Sequence, residues 1–376
     1  MKKLLCLMIF GLALLAGLQR AAAQQPVIDS LSQNGTLTSS GLYPGSSASI
    51  EWASSVSGPW HTDWSSLTTV PVSTNGILTV GVPMFYRVRG FNSNYFATDG
   101  TVLIPAGSFT MGDTLDGEAD AVPTNVFVSG FYMDTNSVTY SKWQTVYNWA
   151  TNHGYVFANP GAGYGPNHPV QTVNWFDAVK WCNARSQMAL LTPCYYLDSG
   201  FTQVLTTNTA NNTYVYQNLV ATGYRLPTQA EWEKAARGQI AGARFPWGNT
   251  ISQSLANYTA NTTTNYDLGP DGNAWTNSTS PVGSFPPNGY GLYDMAGNVS
   301  QYTWDYSPFG IGITYYGLPT TNNPTGPLQP PGSTRSAVYC GGSWSDNAYN
   351  LRCAFHDYSG GLGKSDSRGF RCVRKQ

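Results

Sequence analysis

The string GYRLPTQAEWEKAARG, Gly223 to Gly238, is the most informative stretch of this 376-residue chain. Thr228 and Glu231 stand three residues apart as a capping box, in which hydroxyl and carboxylate each satisfy an orphan amide of a first helical turn. Gly238 supplies the stop, because a helix end favours a residue that turns left-handed without a Cβ penalty. Two further helices lie upstream. Thr139 is placed to cap one running from Tyr140 to about Asn152, closed by Gly154. Another spans about Trp175 to Ser186, with Phe176, Val179 and Cys182 at helical spacing on one face. Around these the chain is rich in Gly, Asn and Trp with few periodic runs, which predicts irregular structure around a small sheet.

Composition narrows the function classes. The chain carries 19 basic and 20 acidic residues, a net charge of −1, and charged residues are only 10% of it. No basic excess is available to neutralise phosphates, so nucleic acid is not an expected partner. Aromatic residues at 14% are the opposite of a disordered composition. Lys2 and Lys3 followed by apolar Leu4 to Leu18 and by Ala21 to Ala23 read as a signal peptide, residues 1–23, cleaved near Ala23. The apolar run is too short for a transmembrane helix, so a secreted or periplasmic protein without a transmembrane segment is expected. Residues 24–98 read as a small all-β, sandwich-like module, from runs such as Ala48 to Trp52, Ile77 to Val80 and Met84 to Val88 between Gly, Pro and Asn turns. It holds one histidine, His61, and no carboxylate cluster, which reads as a spacer or adhesion module. Residues 99–376 form the second expected domain.

Within that domain the opening string and FPWGN (Phe245 to Asn249) resemble the formylglycine-generating enzymes, or sulfatase-modifying factors. So do SPVGSFPPNGYGLYDMAGNV (Ser280 to Val299), CGGSW (Cys340 to Trp344) and RGFRCVR (Arg368 to Arg374), in family order. The resemblance implies an α+β architecture, the irregular C-type-lectin-like fold of that superfamily. Its members include copper-dependent oxidases that convert a sulfatase cysteine to formylglycine, and relatives with only ligand-binding roles, so fold and function are separate questions. The oxidases hold Cu(I) through two cysteines after the GGS-aromatic motif, soft ligands for a soft ion. Here those positions fall at Asp346 and near Ala348, so no catalytic residue is assigned and copper is not expected. Cys353 matches the family's next, structural cysteine, whose usual partner position is Ala236. Cys340 with Cys353 is a disfavoured substitute pair.

The resemblance also implies a disulfide between Cys182 and Cys372. Removal of Cys6 with the signal peptide leaves five cysteines, an odd number, so one thiol stays free or pairs between chains. Cys194 is left to pair with Cys340 or Cys353. Structural Ca²⁺ is the cofactor that the resemblance allows. One site would use Asp294, the Gly297 and Val299 carbonyls and Gln301, where the family has Glu. The other would use Asn257, the Tyr258 carbonyl and Asp271 or Asp267. The alternative is that these side chains simply cap loops.

Other constellations are absent. His61, His153, His168 and His356 show no metal-ligand spacing, and no Gly-x-Ser-x-Gly elbow or phosphate loop occurs. Glu231 and Glu233 read as a cap and a surface charge. What remains is a surface after GGSW, in which Trp344, Asp346, Tyr349, Phe355 and Tyr358 stand among Ser, Asn and Gly, a mixture suited to adaptable ligand contact. It resembles the variable face of the diversity-generating-retroelement proteins that share this fold. The expected function is therefore a secreted, non-catalytic protein that binds a protein, peptide or glycan, or has a structural role. The alternative is an oxidase of the same superfamily with altered site residues. On the first reading Tyr349→Ala and Tyr358→Ala weaken binding and leave the melting temperature nearly unchanged.

Overall fold

The computed structural model describes residues 100–118, 121–261, 263–270, 275, 277–308 and 321–376, and the backbone of strands 27–31, 37–40, 47–53, 85–91, 96–97 and 272–273. The segment read as a signal peptide, the Ile77 to Val80 run, His61 and Asp271 lie outside the described residues. Two compact units divide the chain between Asn94 and Tyr95. In the first, Val27–Leu31 pairs antiparallel with Leu37–Ser40, and Ser47–Ala53 with Phe85–Phe91.

The second unit combines helices α1 (Tyr140–Thr151), α2 (Trp175–Met188) and α3 (Gln229–Ala236) with short strands and long irregular connections. A five-stranded sheet runs in the order Tyr224–Arg225, Val373–Lys375, Phe131–Asp134, Thr101–Ile104, Phe96–Ala97. A four-stranded sheet orders His356–Gly360, Ser336–Cys340, Ser300–Tyr306 and Arg368–Gly369, the last pair being parallel. Among the described residues no helix is long and apolar enough to cross a membrane.

The helices start where their caps predict. The Lys142 amide donates to the Thr139 hydroxyl, and Thr228 and Glu231 make both bonds of the capping box. α2 has a capping box too, Asn174 with Asp177. α1 and α2 meet through Trp143 and Trp181, stacked with ring centroids 6.0 Å apart and planes 4° from parallel, and Phe370 sets its edge against both. Their apolar area, with offset ring contacts adding about 1 kcal/mol per pair, anchors the larger core cluster. α2 is buried around its polar side as well. Asn183 takes the amides of Cys194 and Tyr195 and donates to the carbonyls of Tyr195 and Leu205, so it ties the short strand Tyr195–Tyr196 and the chain near Leu205 to the helix.

α3 corrects one expectation. Glu233 is not a surface charge but 1% exposed, accepting from the Gly112 amide and from Arg237. The helix packs its Trp232, Ala235 and Ala236 into a second cluster that contains Cys340, Cys353 and Met295.

Candidate functional site

The segment after Cys340 is shaped by two glycines. Gly341 and Gly342 have φ of +91° and +59°, and a Cβ on Gly341 would meet Trp232 Cζ2 at 2.8 Å. Only residues without a side chain pass this point at low cost, since the left-handed region and the indole both exclude a methyl. Beyond them the chain closes a turn on itself. Asp346 Oδ2 accepts from the Ser343 amide at 2.9 Å and from the Ser343 hydroxyl at 2.6 Å, while the Asp346 amide donates to the Ser343 carbonyl. Thr259 fastens the turn from outside, its amide on the Asp346 carbonyl and its hydroxyl on the Trp344 carbonyl. Ala348 then opens a single 3₁₀ turn, Ala348–Leu351, capped by Asn347 and buried among Phe245, Tyr258 and Leu351.

Tyr349 and Phe355 meet edge to face at 5.6 Å. Trp344 is half-buried and donates to the Asp366 carbonyl, and Tyr358 lies on the outer strand of the four-stranded sheet opposite Val338. Tyr349 is bound up further: the Arg352 guanidinium lies 3.8 Å from its centroid and its hydroxyl donates to Glu118. Arg352 itself reaches Asp116 and Glu118, and Arg244 takes both oxygens of Asp116. The hydrogen bond from Arg244 holds the Asp116 carboxyl below its usual range. Sequence reasoning missed this network. Its bonds to Asp116 and Glu118 span 128 to 236 residues, so no local signature announces them.

The network changes the expectation for Tyr349. Truncating a ring that supports Arg352 and Phe355 removes packing as well as exposed surface, so Tyr349→Ala is expected to cost about 1–2 kcal/mol of stability. Tyr349→Phe keeps the rings together and should cost about 1 kcal/mol or less. Thermal melts of both variants decide this, and an unchanged Tyr349→Ala melt would restore the pure-surface reading.

The cysteines fall in two places. Cys182 and Cys372 face each other as free thiols with sulfurs 3.5 Å apart, and Cys194 shares their core cluster. Cys340 and Cys353 lie together in the other cluster. Cys194, which the sequence left open to pair with Cys340 or Cys353, thus lies in a different core cluster from both. Burial pushes the Cys353 thiol up to about 12 and also raises the Cys340 thiol well above its ordinary value.

A model of the "sulfatase-modifying factor enzyme 1-like domain" matches residues 90–376. The chain is a sulfatase-modifying-factor family member. It is 31% identical over 323 residues to the mouse (Mus musculus) formylglycine-generating enzyme, covering 72% of this chain and 74% of that one. Among solved structures, one of CarF is 29% identical with a TM-score of 0.55, covering 73% of this chain and 98% of the other. Treponema denticola variable protein 1 is 25% identical with a TM-score of 0.55, covering 73% and 94%. The α+β, C-type-lectin-like fold expected from the sequence is the fold of this family.

Copper needs thiolates, and its two positions hold a carboxylate engaged in a turn and a buried methyl. The residues present do not fit copper. At the first calcium site, Gln301 Oε1 already accepts from Trp232 Nε1 at 2.8 Å and Arg371 Nε at 2.6 Å, and Nε2 donates to the Asp294 carbonyl. An amide oxygen has two lone pairs, and both are taken. In this structure the Gln301 oxygen is engaged by protein donors. Asp294 carries φ +54° and accepts from the Gly283 amide, and burial raises its pKa. The Arg371 guanidinium donates to Gln301 Oε1 and to the Asp294 carbonyl. At the second site Asn257 Oδ1 is buried with no donor, an oxygen suited to a hard cation. Asp267 is committed there as a loop cap, accepting from the Tyr258 hydroxyl and the Asn261 and Gly269 amides.

Proposed function

We propose that this chain is a non-catalytic, ligand-binding member of the family, exported to a secreted or periplasmic location. The observation that carries the reading is the Asp346 carboxylate locked on Ser343 where the copper enzymes place their first cysteine. A side chain spent on its own turn is neither a thiolate nor a free base, so the position has become structural. The face beside it supports binding: Tyr349 and Tyr358 are 38% and 40% exposed, with Trp344 and Phe355 half-buried. Aromatic rings that offer large area with few rotatable bonds suit a protein, peptide or glycan surface. A structural calcium at Asn257 is part of this proposal, supported by its orphan oxygen.

The test is an assay of the full chain, supplied with Cu(I), on a peptide containing Cys-x-Pro-x-Arg, read by mass spectrometry. No conversion of the cysteine is expected, and no tight Cu(I) uptake by the chain. Appearance of a formylglycine peptide would overturn the proposal in favour of an altered oxidase.

A further inference from the structure

On α2, away from the face after GGSW, one lysine is buried to its tip between a carboxylate and a carboxamide. Lys180 has no exposed surface. Its Nζ donates to the Val156 carbonyl at 2.7 Å and to Asn208 Oδ1 at 2.5 Å, and Asp177 Oδ1 lies 3.3 Å away. The Phe157 ring centroid is 5.3 Å from the same nitrogen. Each partner is held in place by bonds of its own. Asp177 closes the capping box of α2 and accepts from the Ala158 amide and from Asn159 Nδ2. The chain leading to Asn208 is pinned twice, since Asn183 donates to the Leu205 carbonyl and the Val156 amide donates to the Thr206 carbonyl. Asn208 itself is exposed, and its Nδ2 donates to nothing among the described residues.

These three side chains have the parts of an acyl transfer. A lysine amine is a nucleophile only without its proton, and desolvation beside a base supplies that form. Burial pulls the Lys180 pKa down, with Asp177 opposing it. The Asn208 Cγ is the electrophile, one carbonyl bond of about 1.2 Å beyond the oxygen that Nζ already touches. An amine fixed against a carbonyl reacts as if its partner were highly concentrated. We infer that Lys180 and Asn208 become joined by an isopeptide bond, with Asp177 moving the proton. The Lys180 ammonium gives one proton to Asp177, and the freed Nζ forms a bond to Asn208 Cγ. The bond from Cγ to Nδ2 then breaks. Nδ2 takes the proton from Asp177 and a second from Nζ and leaves as ammonium, so Asp177 returns to a carboxylate and no oxidant or other reactant enters. Exposure of Asn208 gives the ammonium its exit. The link would fasten the segment after Leu205 covalently to α2.

The experiment is tryptic peptide mapping of the full chain by mass spectrometry, after reduction and alkylation of the cysteines. In this region trypsin cuts after Lys142, Lys180, Arg185 and Arg225. An unlinked chain yields peptides 143–180, 181–185 and 186–225 separately. The linked chain yields 143–185, uncut at Lys180, joined to 186–225, with a mass about 17 Da below the sum of the two, the loss of one ammonia. The joined species is expected to dominate, with fragmentation placing the link on Lys180 and Asn208. Asn208→Ala, a change at the surface, should return the whole population to separate peptides with the far-UV circular dichroism unchanged. Three outcomes overturn the inference in the parent chain: separate peptides with Asn208 intact, an Asn208 heavier by about 1 Da because water has displaced the ammonia, or a link mapped to other residues. Persistence of the joined species in Asn208→Ala overturns it as well.

Discussion

Asp134→Asn is expected to lower the unfolding free energy by about 3 kcal/mol at neutral pH, with Arg185 left buried beside a neutral amide. The carboxylate, 3% exposed at the end of its strand, accepts from Arg185 at 2.7 and 2.9 Å and from Lys142 at 3.2 Å. It also takes the Cys372 amide at 3.1 Å, so it binds the last strand to α1 and α2. Burial by itself would raise its pKa, but Arg185 and Lys142 outweigh burial and bring it down to about 2 from the ordinary 3.8. A group with a depressed folded pKa stabilises fully above its unfolded value and loses that contribution as pH falls through the folded one. The parent should therefore lose about 2 kcal/mol between roughly pH 4 and pH 2 through this group. Urea midpoints across that window should be flatter for Asp134→Asn. Parallel pH profiles for the two chains would sink the assignment.

Arg371→Met is expected to be at least as damaging, at about 3–5 kcal/mol. The guanidinium is wholly buried and donates to the carbonyls of Asp134, Thr135, Tyr293 and Asp294 and to Gln301 Oε1. Burial brings its pKa down to about 10, still far above neutrality, so the fork works as a charged hub in an oxygen cage. Methionine fills similar volume but leaves those acceptors without donors. Arg371→Lys should restore little, because a point ammonium cannot span carbonyls arranged for a planar fork. The check is equilibrium denaturation at a constant slope, and a loss under about 1 kcal/mol would refute the hub.

How far these features were legible in the sequence depends on their range. α1 and α3 were readable because Thr139, Thr228 with Glu231, and Gly238 act within one turn of themselves. Asn174 with Asp177 was equally local and was missed. Glu233 was misread because its partner, the Gly112 amide, stands 121 residues away and nothing in the helix announces which side meets it. In the same way, the loss of thiols at Asp346 and Ala348 was visible along the chain. What replaced their chemistry was not. The Asp346 bond to Ser343 is local enough to have been guessed, but the Tyr349, Arg352, Glu118 and Asp116 network is made by folding alone. Gln301 is the instructive case. Its residue type fits a calcium ligand, and only the positions of Trp232 and Arg371 reveal that its oxygen is occupied.

The strand Val373–Lys375 lies inside the five-stranded sheet, hydrogen-bonded to Phe131–Asp134 on one side and Tyr224–Arg225 on the other. Phe370 and Cys372, just before it, complete the cluster between α1 and α2. The order of synthesis and the order of assembly are thus opposed. More than two hundred residues must wait for the last few before their sheet can close, and loops of that length make such closure slow. Until that moment the large tryptophan-lined faces of α1 and α2 are only partly covered. Removing this strand is therefore expected to lower the yield of folded protein, read as the soluble fraction after expression.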